Sequence, residues 1–580
     1  MTKPSDKTTD YRLKLLLVVF FVIGFIFSVR LFQIQILKHD YYTNIASGQH
    51  NFDKEIIQNR GEIFMHGFKD EDLVPVVTNR QLSLVYAVPS QVDRPQNIAE
   101  TMARLFETDE EKIELLQQQI YEKVKKENDP YEPLQHKVDY KTVEQIQLHN
   151  FNGIYFEDQW ERYYPEKEAC AHISGFWGYG QQGRLGQYGI EGLFDRELQG
   201  RKGFLSAAKD IYGRIIPIDI GSQTEAEDGN NIVLTIDKVI QSKAYEIIKQ
   251  ATVDYGAVDG SIIVMNPITG AVKAMANFPS FDPNNYGDID SIEILSDKNI
   301  SLSYEPGSVF KIITMAAGLD SEAVEVDDTF FDAGSIKIGE HTIRNADNEK
   351  FGKINMTEIL ENSVNTGAVN IALKTGRKTF LDYVTEFGFG QAIGHGFFNQ
   401  SAGDISSLNN RGDIYLATAS YGQGITITPL QMATAMSTVV NGGYSVTPSL
   451  IEYIETPDKQ RLYMAPEPTK NVISPDTSMV LKAMLVSVVK NGHGSQAQVP
   501  GYYIGGKTGT AEIAHPDSPG YSDENIHSFA GFGPMSSPKF VIMVKLTKPK
   551  WGRFSAVTAA PTFAKMASFL LQYYQIPPEY

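Results

Sequence analysis

The chain has 580 residues, a hydrophobic content of 42% and a formal net charge of −18. That length exceeds one ordinary core and implies two or more domains, while the acidic balance excludes a general nucleic-acid footprint. The single cysteine, Cys170, excludes an intramolecular disulfide or a cysteine metal cluster, and fits either a reducing compartment or an envelope protein built without disulfides.

The N-terminus carries the first strong signal. Residues 15–29, LLLVVFFVIGFIFSV, contain no charge, and after Arg30 the apolar character continues to Leu37. A helix over 15–37 is roughly 34 Å long, enough to cross a bilayer. Before it lie Lys3, Lys7, Arg12 and Lys14 against Asp6 and Asp10, a net of +2. The positive-inside rule puts residues 1–14 in the cytoplasm and the bulk of the chain outside. A cleaved signal is the competing reading, but the run is long and no small-x-small site follows it. The expectation is a retained, single-pass signal anchor in the bacterial plasma membrane.

Residues 38–60 read as a polar stalk leading into a charged, mixed module to about 228. Within it, TDEEKIELLQQQIYEKVKKEND is a helix by its stripe of Ile113, Leu116, Ile120 and Val124, with Thr108 and Glu111 as a capping box and Asp129-Pro130 as its end. GSQTEAEDGNN, 221–231, is an acidic break and the expected domain boundary. IVLTID and GSIIVMNPITGAVKAMA then alternate as strands with a turn at Pro267–Gly270. YYIGGKTGTAEI (502–513) and KFVIMVKLT (539–547) are further strands, and a helix closes the chain near 561–574. Strands first, helices in the middle and strands last predict an α/β (α+β) domain with a mostly antiparallel sheet over 229–580.

The chemistry begins at YEPGSVFK, 304–311. S-x-x-K occurs three times: Ser206–Lys209, Ser308–Lys311 and Ser536–Lys539. Ser536 is followed by Ser537-Pro538, which breaks a helical turn, and Ser206 has no second motif nearby. Only Ser308 sits at a helix start ahead of an apolar run. Residues i and i+3 share a helix face, so Lys311 can reach Ser308. An ammonium in the first turn is opposed by the helix dipole, and with burial its pKa falls, leaving an amine able to take a serine proton. An N-cap serine with a snorkelling lysine is the bland alternative for this pattern alone.

Two later patterns change the balance. Ser363-Val364-Asn365 is an S-x-N, as is Ser407–Asn409 in a polar loop. Lys374-Thr375-Gly376 closes a helix and reads as a C-cap. Lys507-Thr508-Gly509 lies instead in a strand that can offer backbone groups to an extended peptide, with Lys507, Thr508 and Thr510 suited to a carboxylate. The ordered set Ser308-x-x-Lys311, Ser363-x-Asn365, Lys507-Thr-Gly is the one described for penicillin-binding proteins and class A β-lactamases, with Val364 where an aspartate is usual.

On these motifs, and on NRGEI (59–63), RYYPEKEACAHISGFWG (162–178), GQYGIEGLFDRELQGRKG (186–203), YGQGITITPLQMATAMSTVVNGG (421–443) and SFAGFGP (528–534), the chain resembles class B penicillin-binding proteins, the monofunctional peptidoglycan D,D-transpeptidases. YEPGSVFK and GQYGIEG look most like the cell-division (septal) branch. FMHGFKDEDL after Glu62-Ile63 departs from the family pattern. The resemblance implies a penicillin-recognising transpeptidase fold over 229–580 behind a pedestal (dimerisation-type) domain over 38–228. It implies that Ser308 is the nucleophile, Lys311 the base, Ser363 a proton relay and Asn365 a holder of the donor amide. Lys507 and Thr508, with Gly509 and Thr510 beside them, would bind the substrate carboxylate. Backbone N–H groups of Ser308 and Thr510 would form the oxyanion hole. The implied partners are stem peptides (a D-Ala-D-Ala donor and an amine acceptor), β-lactams, the membrane, a polytopic glycosyltransferase and other division proteins; no metal or organic cofactor is implied.

Rival functions are an elongation-type transpeptidase, a D,D-carboxypeptidase or β-lactam hydrolase, and a non-catalytic β-lactam-binding sensor or scaffold. A hydrolase needs a base for the deacylating water, and the only Leu-Asn, at 408–409, has Ile405 where the E-x-x-L-N glutamate would stand.

Overall fold

The computed structural model describes residues 7–39, 51–56, 58–68, 72–126, 129–181, 183–209, 215–464, 469–515 and 520–580. The first part of the expected cytoplasmic tail (1–6) and most of the expected stalk (40–50 and 57) lie outside the described residues. The chain divides into two compact units, one of residues 1–59 and 199–229 and one of 60–198 and 230–580.

In the first unit, an α-helix over Lys7–Phe32 continues as a π-helical turn over Gln33–Leu37. Tyr11–Leu37 is long and apolar enough to cross a membrane, and none of that span is buried by the rest of the chain. Part of the expected stalk is a strand: Asn51–Ile56 pairs with Gly203–Lys209, which pairs with Ile215–Thr224, all antiparallel.

The second unit contains the rest. A mixed sheet runs in the order Arg461–Tyr463, Ile451–Glu455, Asn231–Asp237, Ile63–His66, Leu73–Ala87 and Glu132–Val138, and Ile154–Tyr163 also pairs with Leu73–Ala87. Asn231–Asp237 lies parallel to Ile63–His66. Backbone hydrogen bonding therefore crosses the acidic break at 221–231, with residues on either side of it in one sheet.

The helix expected after Thr108 is present, but its cap is not the one read from the sequence. Asp109 is the N-cap, its carboxylate accepting the Glu111 N–H at 3.1 Å, and the helix is Glu110–Val124. A charged, short acceptor stands one residue past Thr108 and outcompetes its hydroxyl. Ile113, Ile120 and Val124 are buried and Leu116 packs against them, so the apolar stripe is as the period requires.

A buried ion cluster organises the segments around 60, 162 and 191. Glu191 is fully buried and takes Arg60 Nη2 at 2.5 Å and Arg162 Nε at 2.6 Å. Arg162 Nη1 also donates to Asn79 Oδ1 at 2.8 Å. Burial pushes the Glu191 carboxyl up, but Arg162 and Arg60 outweigh it and hold it below the ordinary carboxylate range.

The sheet that carries the motifs has five strands, antiparallel throughout: β1 (Asp259–Met265), β2 (Val272–Phe278), β3 (Gly505–Ala514), β4 (Tyr521–Gly533) and β5 (Phe540–Thr547), ordered β2-β1-β5-β4-β3. Its outer face packs Phe529 and Phe540 on Phe563 of the terminal helix Ala559–Tyr573 and on the helix Lys238–Asp254. Its inner face packs on the helix Pro429–Val440, buried along its whole length. α1 (Lys311–Asp320) lies among helices, against Asn365–Thr375, Arg377–Glu386 and Pro475–Asn491, and is buried from Lys311 to Gly318 as an all-round apolar helix must be. β3 is an edge strand, with one side free of any sheet partner among the described residues.

Truncating one partner of the Glu191 cluster leaves a buried charge uncompensated. Arg162→Ala is expected to cost about 3–5 kcal/mol in chemical denaturation. Because the folded carboxyl sits below its unfolded value of 4.5, its stabilisation is present above that pH and fades as pH falls through the folded value. The wild-type and Arg162→Ala stabilities should therefore converge in acid.

Candidate active site

Ser308 enters the site on a tight turn. Gly307 has φ +58°, a region open to glycine at little cost. Gly307–Phe310 is one 3-10 turn, and α1 begins only at Lys311, whose N–H donates to Ser308 O. The sequence placed Ser308 at the start of a helix; the 3-10 turn puts it one turn ahead of the α-helix proper. Ser308 is half-buried, and its Oγ makes no hydrogen bond among the described residues.

Lys311 points elsewhere than expected. Its Nζ donates to Ser363 O at 2.5 Å, Ser363 Oγ at 3.3 Å and Asn365 Oδ1 at 2.7 Å, with no hydrogen bond to Ser308. Ser363 stands between the helix Met356–Glu361 and α2 (Asn365–Thr375) with φ +54°. A non-glycine residue in that region is held at a cost, here at the point where two helices change direction. Val364, where the usual motif has aspartate, is fully buried and is the N-cap residue of α2. It fills core space and takes no part in the polar cluster. Asn365 Nδ2 donates to Arg344 O at 2.9 Å, so both ends of its amide are engaged.

Lys507 approaches from the opposite side on β3. Its Nζ donates to Ser363 Oγ at 2.9 Å, and lies 3.3 Å from Thr508 O and 3.4 Å from Thr508 Oγ1. Gly509 shows why the motif ends in glycine. A Cβ there would lie 2.5 Å from Ser528 Oγ and 2.9 Å from both Pro306 O and Val309 Cγ1. Only a bare Cα lets the edge strand lie this close to the turn that carries Ser308. Thr510 is held by Ser555, whose N–H donates to Thr510 Oγ1 at 3.2 Å and whose Oγ lies 3.0 Å from it. The sequence offered no signal for Ser555 or for Arg344 O, since each acts through one long-range contact and neither belongs to a spaced pattern.

Two lysine amino groups thus meet on one hydroxyl in a dry site. Lys311 is 1% and Lys507 0% exposed, and neither is in an ion pair among the described residues. Burial, reinforced by the neighbouring Lys507, pulls Lys311 well below its ordinary value of 10.5, and burial alone pulls Lys507 down to about 7. Charging both would set like charges against each other in low dielectric, so the pair holds at most one proton comfortably at neutral pH.

The other motif copies stay apart from this cluster. Ser206 and Lys209 lie in the strand Gly203–Lys209, without the helical turn the spacing requires. Ser536 follows β4 in a loop where its N–H donates to Glu579. Ser407 and Asn409 lie in the 3-10 turn Ser406–Asn409, and Gly376 ends α2 with φ +80° as a C-cap.

Both large segments of the chain are similar to known protein domains. Residues 260–568 match the model for the penicillin-binding protein transpeptidase domain, and 56–234 the model for the penicillin-binding protein dimerisation domain. The stage V sporulation protein D of Bacillus subtilis is 31% identical over 96% of this chain and 85% of its own length. The peptidoglycan D,D-transpeptidase FtsI of Escherichia coli is 31% identical over 74% of this chain and 70% of its own. Penicillin-binding protein 3 of Mycobacterium tuberculosis, in its aztreonam complex, superposes with a TM-score of 0.69 at 25% identity, covering 91% of this chain and 98% of that one. The chain belongs to the penicillin-binding protein family, in its class of transpeptidases with a dimerisation domain.

Removing a buried charge should pay back its desolvation. A lysine whose folded pKa is depressed costs stability wherever the unfolded chain holds its proton and the folded one resists it. Lys507→Met is therefore expected to raise the Tm most below about pH 7, with the gain shrinking as pH rises toward 10.5. A pH series of thermal melts checks this.

Proposed function

We propose that this protein is a serine-type peptidoglycan D,D-transpeptidase acting through a Ser308 acyl-enzyme. The observation that carries the proposal is the convergence of Lys311, Asn365 and Lys507 around Ser363, beside the turn that presents Ser308. In this mechanism Ser308 Oγ attacks the peptide carbonyl between two D-alanines and its proton passes to neutral Lys311. The C–N bond breaks, and Ser363 relays a proton to the departing nitrogen of the terminal D-alanine. An amine of a second stem then attacks the ester. The cross-link forms, the C–O bond breaks, and a proton from the amine returns to Ser308 Oγ through Lys311.

Substrate recognition follows from the same residues. β3, with its free edge, pairs with the extended donor peptide. Lys507, Thr508 and Thr510 receive the terminal carboxylate, whose negative charge draws a proton onto Lys507. The N–H groups of Ser308 and Thr510 stabilise the oxyanion. Asn365 takes the donor amide only by exchanging a present partner, Lys311 or Arg344 O. β-Lactams acylate Ser308 by the same attack and persist as esters.

The cellular setting is proposed on the same footing. The helix over 15–37 is a retained anchor with residues 1–14 cytoplasmic. Residues 38–228 form the pedestal module and 229–580 the transpeptidase, outside the cytoplasm. The FtsI-like relatives and the YEPGSVFK signature favour septal wall synthesis, alongside a polytopic glycosyltransferase and other division proteins.

Labelling with a fluorescent penicillin tests the nucleophile. Ser308→Ala should abolish the adduct, while Ser206→Ala and Ser536→Ala should label fully; a labelled Ser308→Ala protein would refute the assignment. Following acyl-enzyme decay separates transpeptidase from hydrolase. The ester should persist in water, and turnover of a thioester donor should rise when a D-amino acid is added. Rapid decay in water that added amine leaves unchanged would favour a hydrolase.

A further inference from the structure

Glu305 precedes the Pro306-Gly307-Ser308 turn and belongs to none of the three motifs. Its carboxylate bridges two other segments of the chain. Oε1 accepts the Gly424 N–H at 3.0 Å, and the Tyr521 hydroxyl donates to Oε2 at 3.1 Å and lies 3.4 Å from Oε1. Tyr521 is the first residue of β4 and pairs with Ala514, the last residue of β3. Gly424 lies in a segment already stitched to the nucleophile turn. Gly307 N–H donates to Gly422 O at 3.0 Å, and Tyr304 and Ile427 exchange two backbone hydrogen bonds of 2.9 Å.

One half-buried carboxylate therefore joins three elements that meet at Ser308: its own turn, the 422–427 segment, and the far end of the β3–β4 hairpin. Residues 505–509 of β3 are buried, whereas Glu512 and Ala514 toward its other end are exposed. There the Glu305–Tyr521 bond ties the hairpin to the Ser308 turn, with Ser522 Oγ donating to Ile513 O at 3.0 Å within the hairpin itself.

We infer that Glu305 and Tyr521 are positioning residues that hold the outer half of β3 in register with Ser308, and so set the preference of the enzyme for extended peptide donors over short acylating agents. This rests on the acyl-transfer role proposed for Ser308. A compact β-lactam reacts within reach of Ser308, Ser363 and Lys507, on the buried half of the strand. A stem peptide laid along β3 runs on past Thr510 toward Glu512 and Ala514, where the strand is held by the hairpin and by this one carboxylate. Losing the tie raises the ordering cost that the long substrate meets on binding. It leaves Lys311, Ser363 and Lys507 in their present hydrogen bonds.

The test compares Tyr521→Phe and Glu305→Gln with the wild-type, full-length protein in detergent. Two second-order acylation constants are measured for each: one with a penicillin, one with a thioester donor carrying several stem residues. A hydrogen bond to a charged group, discounted for partial exposure, corresponds to about tenfold. Tyr521→Phe is expected to lower the constant for the long donor about tenfold, mostly through KM, and to lower that for penicillin by at least fivefold less. Glu305→Gln, which keeps shape and an acceptor oxygen but loses the charge, should fall between wild type and Tyr521→Phe. Equal losses with both substrates, or no loss with the long donor, would overturn the inference. Failure of the wild-type protein to label at Ser308 would instead overturn the acyl-transfer role beneath it.

Discussion

Burial of the Lys311 side chain is the constraint on which the site depends. An amine lifted out of water loses its proton more easily, and a second buried amine on the same hydroxyl makes that loss easier still. Ser363 Oγ is where the two meet, at 3.3 Å from Lys311 and 2.9 Å from Lys507. The fold serves this arrangement throughout. α1 is sheathed in apolar contacts because a partly wetted helix would leave Lys311 charged. β3 can lie against the turn that carries Ser308 only because Gly509 has no side chain where Pro306, Val309 and Ser528 already stand. Ser363 is held in a left-handed conformation, and the capped helix Met356–Glu361 on one side and α2 on the other fix its place.

The site therefore stores its free energy as desolvation and strain. Two lysines without a carboxylate partner, and a serine at φ +54°, all weigh against folding. The opposing contribution comes from the large apolar interfaces on both faces of the five-stranded sheet and from polar clusters remote from the chemistry. The Glu191 cluster is the clearest of these: Arg60 and Arg162 come from segments a hundred residues apart in the chain and close on one buried carboxylate. Its residues fall within NRGEI, RYYPEKE and GQYGIEG. Those stretches supported the family resemblance while giving no hint of why they mattered, because an ion cluster assembled over such separations has no local period to read.

What was legible in the sequence follows the same logic. The apolar helix, the Ile113–Val124 stripe, the hairpin around 267–270 and the KTG strand all carry local periodicity, and each is present. Lys374-Thr375-Gly376 was separable from Lys507-Thr508-Gly509 because helix endings have their own grammar. Errors arose where two local signals competed or where partners were distant. Thr108 lost the cap to its neighbour Asp109. Lys311, at the spacing that brings i and i+3 together, turned instead to Ser363 and Asn365, since the intervening residues form a 3-10 turn and a better-placed set of oxygens lies fifty residues on. The parallel ladder between Ile63–His66 and Asn231–Asp237, and the grip of Ser555 on Thr510, depend on chain crossings that no window of sequence reports.

The central claim is that Lys311 is a neutral amine because it is buried beside Lys507. The most direct measurement is the pH dependence of the penicillin acylation constant, in the wild type and in Lys507→Met. With Lys311 as the base, the rising limb of the rate against pH should be centred well below 10.5, the ordinary lysine value. Removing the neighbouring cation should move that limb upward, because Lys507 contributes to the depression. A limb centred at 10.5 in the wild type, or one that stays in place when Lys507 is replaced, would contradict it.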